Sequence, residues 1–305
     1  MAAVAESAGE GPTVGVLAIQ GSFSEHVDIA RELGATVREV RLPEELDGIE
    51  GLIMPGGEST AMAVVGEGTG VFPALREFVK SGRPVWGTCA GMILLSNTAI
   101  YQRDGGQALV GGLDVEVCRN FFGAQIQSCE MDLKIAAFER LNAAKASAAE
   151  GAVEPAYHAV FIRAPAILSA GPEVEVLAKV TAKPCKLAQE SLRSTTVASG
   201  AKSGGKSKAE VGSEEGAEGA AKRQKFATKA EADFFAVNEA AKKFATKADD
   251  DFFAAEKDDD AARPREVIVA ARQGNLMATA FHPEFTNDRR WHQLFLEMVR
   301  DNSAK

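Results

Sequence analysis

Gly87-Thr88-Cys89-Ala90-Gly91 lies between a short apolar run and a helical pattern, and it carries the strongest chemical signal in the chain. A G-x-nucleophile-x-G turn sets one side chain on a sharp strand-to-helix bend at the end of a sheet, and its glycines let neighbouring backbone approach closely. The helix that follows would aim its N-terminal dipole at the Cys89 sulfur and favour the thiolate. A buried structural cysteine explains the same residues, and the motif alone leaves the two readings about even. Phe281-His282-Pro283-Glu284 shifts that balance. A cysteine nucleophile needs a base to take its proton, and the base needs a carboxylate to orient it. His282 and Glu284 supply both, although a plain histidine at a strand end would read the same way. Of the other histidines, His26 could cap or orient a loop, His158 sits near a strand, and His292 lies on the last helix. Pro55-Gly56-Gly57-Glu58-Ser59-Thr60 is the third signal. Two glycines at a strand end expose backbone N–H groups, as an oxyanion hole requires. The alternative is an ordinary βα turn with Ser59 as a helix cap.

Elements of a particular kind must position these groups. Thr13 to Ile19 (TVGVLAI) is the apolar, β-branched run of a buried parallel strand. Ser24 to Leu33 has helical spacing, with Ser24 as its expected cap and Gly34 just past its end. Ala35–Val40, Gly51–Met54 and Pro84–Thr88 read as strands, and Phe72–Ser81 and Ala90–Asn97 as helices. Leu109 to Leu133 is strand-like and suits antiparallel pairing. Further strands are expected at Val160–Arg163, Val174–Lys179, Val267–Arg272 and Met277–Phe281, and a closing amphipathic helix at Arg289–Asp301. Alternation of this kind predicts an α/β fold with an open, mostly parallel sheet and helices on both faces. All three chemical motifs then fall at C-terminal strand ends, where such sheets bind ligands.

Composition narrows the classes of function. Of 305 residues, 46% are hydrophobic and 25% charged, which excludes wholesale disorder and a fibrous chain. A net charge of −9 argues against nucleic acid as a partner. No apolar run is long enough to span a membrane, and Met1 to Gly11 has no basic start or apolar core of an export signal. Cys89, Cys118, Cys129 and Cys185 show no CxxC pairing or metal-ligand spacing, so reduced thiols and a cytoplasmic location are expected, with no metal.

One stretch breaks the pattern. Residues 199–219 hold six glycines among Ser, Lys and Glu, the composition of a linker. Residues 221–262 lack Gly and Pro and contain a repeat at an 18-residue offset, with Phe226 and Phe234 recurring as Phe244 and Phe252. In a helix that offset is five turns, which would put these four on one stripe with Val237. Residues 185–265 are neutral, with 15 basic and 15 acidic residues. The favoured reading is a solvated surface elaboration, helical or disordered; the alternative is a helix that docks on the host domain or a partner. The expected organisation is therefore a leading segment 1–12, one domain formed by 13–184 and 266–301, and the insert 185–265.

The chain resembles the triad-type (class I) glutamine amidotransferases, and among them the glutaminase subunits of pyridoxal 5'-phosphate synthases, the plant type especially. The resemblance rests on VGVLAIQGSFSEH (14–26), PGGEST (55–60), REFVKSGRPVWGTCAGM (76–92), RNFFGAQIQS (119–128), VFIRAP (160–165) and ATAFHPEFT (278–286). GTCAG and HPE are shared by many amidotransferases, whereas QGSFSEH, RNFFG and VFIRAP are much more specific to the vitamin B6 branch. The resemblance implies Cys89 as nucleophile, His282 as base and then acid, and Glu284 as the orienting carboxylate. It implies an oxyanion hole at Gly57 and Ala90, and glutamine binding by Gly57, Glu58, Ser59, Arg119, Ile162 and Arg163. A guanidinium fork suits the α-carboxylate of glutamine. Gln20 is implied to link the site to the partner. That partner is implied to be a (β/α)₈-barrel synthase subunit that receives ammonia, and no cofactor is implied in this subunit. Ala61 and Phe285 depart from the family pattern, where Thr and Leu are expected. Two other readings stay open: a glutaminase or cysteine hydrolase serving another synthase, and a non-catalytic interaction module.

Overall fold

A computed structural model describes residues 11–100, 106–122, 129–138, 156–185, 188–189 and 264–304. The lead-in before residue 11, the 123–128 part of RNFFGAQIQS and nearly all of the 185–265 insert, its phenylalanine repeat included, lie outside the described residues.

The buried run TVGVL forms β1 (Thr13–Leu17). It is flanked in parallel by β2 (Thr36–Val40) and β3 (Gly51–Met54), with Val14 opposite both Val37 and Gly51. β4 (Val85–Thr88) adds to β3, and β12 (Leu276–Thr279) adds to β4, both in parallel. β3 and β4 are buried at every position, as the continuous apolar runs predict for strands covered on both faces. The second half of the sheet is mainly antiparallel. β11 (Arg265–Gln273) pairs with β12, with β9 (Ala166–Ala170) and with β10 (Glu175–Ala182), and β9 pairs with β6 (Leu113–Cys118). β5 (Ser96–Ile100) closes that edge in parallel with β6. The order is β2-β1-β3-β4-β12-β11-β9-β6-β5, with β10 branching from β11. A separate antiparallel pair, β7 (Cys129–Leu133) and β8 (Tyr157–Phe161), forms a second small sheet.

The helices are α1 (Phe23–Glu32), α2 (Ser59–Gly68), α3 (Val71–Lys80), α4 (Ala90–Leu95) and α5 (Arg290–Ser303). Gly34 follows α1 with φ +84°, the left-handed conformation its position predicts. Ser24 does not cap α1. Ser22 holds the N-cap position, and its hydroxyl makes no cap bond because it is turned toward the site. Two elements go beyond the sequence expectations. α2 is apolar nearly all round, so its pattern has no contrast between faces. The expected helix Ala90–Asn97 ends at Leu95, and the chain turns at Ser96 straight into β5. α5 lies close on the parallel half: a Cβ on Gly51 would come within 2.5 Å of Val299 Cγ2 and 3.2 Å of Phe295 Cζ. Trp86, Trp291, Phe281 and Phe295 are fully buried in the core. Among the described residues no helix is long and apolar enough to cross a membrane.

Candidate active site

The C-terminal ends of β1, β3, β4 and β12, four neighbours in the sheet, deliver the chemical motifs to one place. Cys89 follows β4 at φ +47°, a conformation that costs about 1–3 kcal/mol outside glycine and is kept where the surroundings over-determine it. The surroundings here are backbone. The Cys89 N–H donates to Thr279 O at 2.8 Å, and the Gly91 N–H to Pro55 O at 3.1 Å. A Cβ on Gly91 would lie 1.9 Å from Met54 O, and one on Gly87 would lie 2.5 Å from the Gly91 carbonyl carbon. Both motif glycines are therefore explained by close packing of β3, β4 and the start of α4, which fixes the bend at Cys89.

His282 follows β12, and its N–H donates to Val160 O at 2.9 Å, tying this loop to β8. Its Nδ1 lies 2.7 Å from Glu284 Oε1, which leaves Nε2 for the sulfur. Gly56 makes room between them: a Cβ there would sit 2.4 Å from His282 Cε1 and 3.3 Å from Cys89 Cβ. Burial alone would lower the His282 imidazole. The charge of Cys89 and a hydrogen bond with it, together with Glu284, outweigh that and push it up to about 10. Burial would likewise raise Glu284, but His26 and then His282 hold it well below the ordinary carboxylate range. An imidazolium set against a sulfur and backed by a carboxylate is an arrangement that can activate a cysteine. Cys118 is the contrast: burial, then Cys185 and Glu116, push its thiol up to about 12, so it is a packing residue.

A cavity of about 300 Å³ opens over the sulfur. Gln20, Gly57, Glu58, Ser59, Cys89, Arg119, Ile162, Arg163 and His282 all line it. Ala90 is the first residue of α4, where an N–H has no carbonyl of its own helix to bond. Glu284 stands behind His282, only 6% exposed. Of the site residues expected from the sequence, all but Ala90 and Glu284 line this one cavity. Glu58 rather than Ser59 caps α2, accepting from the N–H groups of Thr60 (3.1 Å) and Ala61 (2.6 Å). Its Oε1 also accepts from Arg119 Nη2 at 3.0 Å, and its own N–H donates to Gln20 Oε1 at 2.8 Å. Ser59 Oγ instead donates to Gln107 Oε1 at 3.2 Å. The sequence reasoning missed Ile93 and Asn120 as lining residues, and took Phe285 only as a departure from pattern. Phe285 stacks on the His282 ring, centroids 5.1 Å apart and planes 17° from parallel. Asn120 and Arg163 both have positive φ, +50° and +46°, a backbone signal with no counterpart in the sequence.

An open α/β sheet carrying a cysteine, a histidine and a carboxylate at adjacent strand ends suits catalysis by a cysteine nucleophile. A solved structure described as a glutamine amidotransferase superposes on 94% of this chain and 98% of its own, with a TM-score of 0.57 and 28% identity. The chain belongs to the SNO glutamine amidotransferase family, whose profile matches residues 16–197 and 221–301. It is 41% identical over 289 residues to the probable pyridoxal 5'-phosphate synthase subunit PDX2 of Arabidopsis thaliana, covering 95% of this chain and 86% of that one. It is 34% identical over 297 residues to the pyridoxal 5'-phosphate synthase subunit PdxT of Clavibacter michiganensis subsp. michiganensis, covering 97% and 95%.

Proposed function

We propose that this chain is the glutaminase subunit of a pyridoxal 5'-phosphate synthase: it hydrolyses L-glutamine to L-glutamate and ammonia and passes the ammonia to a synthase subunit. The observation that carries the reading is Cys89 and His282 facing each other under a cavity walled by Arg119 and Arg163. In this reading the α-carboxylate of glutamine lies against the arginines, with Glu58 and Ser59 beside them and Ile162 along the aliphatic stem. The Cys89 thiolate attacks the side-chain amide carbon, and the backbone N–H groups of Gly57 and Ala90 hold the oxyanion. His282 then protonates the departing nitrogen, ammonia leaves, and a thioester joins Cys89 to the γ-glutamyl group. Water, deprotonated by His282, cleaves the thioester and releases glutamate. Glu284 keeps His282 in the tautomer with Nε2 toward the sulfur.

The partner in this reading is a (β/α)₈-barrel synthase subunit docked near Gln20, and neither nucleic acid nor a membrane takes part. Segments 13–184 and 266–301 form one amidotransferase domain, with 185–265 as an insert. The free thiols of Cys89, Cys118 and Cys185 fit work in the cytoplasm. The test is a glutamate-release assay with and without a synthase subunit, with mass spectrometry of the acid-quenched enzyme. A γ-glutamyl adduct on Cys89 and release that rises with the partner are expected. No glutamate from the pair, or an adduct elsewhere, sinks the reading.

A further inference from the structure

Behind the site lies a buried polar cluster that the reaction as written does not use. His26 of α1 is fully buried, as is Thr88, and His292 of α5 is 1% exposed. His26 Nδ1 lies 2.9 Å from His292 Nε2, and His26 Nε2 lies 3.3 Å from Thr88 Oγ1 and 3.4 Å from Glu284 Oε2. The ring is held edge-on to Trp86, centroids 5.6 Å apart at 81°. One side chain thus joins α1, β4 just before the nucleophile, the Glu284 turn and α5.

The oxygens of Glu284 show what this side chain is for. Oε1 accepts from Ser22 Oγ at 2.5 Å and faces His282 Nδ1 at 2.7 Å. Oε2 has no aligned hydrogen bond among the described residues, and His26 Nε2 is the group set against it. An ionised carboxylate buried this deeply needs a donor on that side. A proton on His26 Nε2 supplies it. His26 Nδ1 then accepts from the Nε2–H of a neutral His292, leaving at His292 Nδ1 a bare lone pair and not a stranded N–H, the less costly orphan. Burial holds His292 well below its ordinary value, which keeps it neutral as this arrangement requires. The groups that bear on the cluster's charge are Glu284, with His282 acting on it, and His292, with Arg289 acting on it.

We propose that His26 is a positioning residue of the glutaminase reaction: its Nε2–H donates to Glu284 Oε2, fixes that carboxylate square to His282 Nδ1–H, and so aims the imidazole at Cys89. The role rests on Cys89, His282 and Glu284 acting as set out above. The test compares His26→Leu and His26→Gln in the full chain with its synthase subunit. Leucine removes the donor, whereas glutamine can return an N–H near the position of Nε2. His26→Leu lowers kcat about 10- to 100-fold, as loss of a group that orients a reacting one does. KM for glutamine stays put, because His26 lines no part of the cavity. The acid limb of the rate profile moves to higher pH, since Glu284 loses one of the two groups that keep it ionised, and His26→Gln recovers part of both. A folded His26→Leu protein with wild-type kcat and acid limb overturns the proposal, and so does a loss confined to KM. Should His26→Leu not fold, nuclear magnetic resonance of the wild type labelled with ¹⁵N-histidine decides, with only four histidines to assign. His26 Nε2 must carry a proton at neutral pH; an unprotonated Nε2 overturns the role. Cys89→Ala separates the two levels. Turnover surviving in it defeats the triad itself, while a dead Cys89→Ala beside an unaffected His26→Leu defeats only the role of His26.

Discussion

The two halves of the sheet divide the work. The parallel half, β1-β3-β4-β12, ends in Gln20, Gly57, Cys89 and His282, and in the proposed reaction Cys89 and His282 make and break bonds. The antiparallel side and the small β7-β8 pair end in Arg119, Asn120, Ile162 and Arg163, the groups that would recognise substrate. Backbone bonds lock the first set: Cys89 to Thr279, Gly91 to Pro55, Ser22 to Gly56. The second set hangs on looser joints, such as Arg119 N to Ile100 O at 3.5 Å and Phe122 N to Ala164 O at 3.4 Å. Chemistry tolerates little misplacement and needs the rigid half. Recognition through long arginine side chains can be built on strand ends that differ in direction.

If that division is right, damage to the two halves has different kinetic signatures. The largest effect is expected for Cys89→Ala, which removes the nucleophile and should cut turnover by about 10⁴-fold or more while the protein still folds and binds glutamine. Glutamate release near the wild-type rate from this variant breaks the assignment outright. Next is Gly56→Ala. Its new Cβ would overlap His282 Cε1 at 2.4 Å, so the ring must move off the sulfur. A loss in kcat of about 100-fold is expected, the cost of an ångström-scale displacement, with KM nearly unchanged. Steady-state kinetics at saturating glutamine read the difference directly.

The same division governs what could be read from the sequence. In the parallel half the strand runs are apolar throughout and the glycines stand at close approaches, so TVGVL, GLIM and VWGT announced both the strands and the turns that hold Cys89 and Gly57. On the other side, β9 is a short run between Pro165 and Gly171, and β5 follows α4 without a break. Neither leaves a clear period. Arg119 and Arg163 were found through family resemblance, because a lone arginine carries no pattern of its own. His26 is the instructive miss. It was in view inside QGSFSEH, but its partners come from residues 88, 284 and 292, and contacts at that separation leave no local trace.

Arg119→Met tests the recognition half. It removes a cation from the cavity wall and a partner of Glu58. KM for glutamine should rise about 10-fold or more, matching loss of a hydrogen bond to a charged group worth about 1.5–3 kcal/mol. Its kcat should change much less. A fall in kcat at unchanged KM would instead place Arg119 with the chemistry and erase the contrast between the halves.

The smallest effects concern the charge on His282 itself. Its folded value of about 10 lies above the ordinary 6.5, so the stability it contributes is complete below pH 6.5 and is lost as pH climbs toward 10. Glu284 has the opposite sign: its depressed value contributes stability above about pH 4.5 that disappears as pH falls below. Melting temperatures across this range should therefore fall at both ends, and Cys89→Ala should flatten the alkaline fall, because the sulfur is the main group raising His282. Phe285 is half exposed at the cavity wall and stacked on the same ring, where an aromatic face favours a cation. Phe285→Leu keeps the apolar bulk and removes the face, at a cost of about 0.5–1.5 kcal/mol for an aromatic pair. The basic limb of the rate profile should then move down by about one pH unit or less, with kcat near neutrality changed no more than a few-fold. A limb that stays fixed while KM rises would mean that Phe285 serves the pocket wall, and the stack on the imidazolium would be packing without electrostatic consequence.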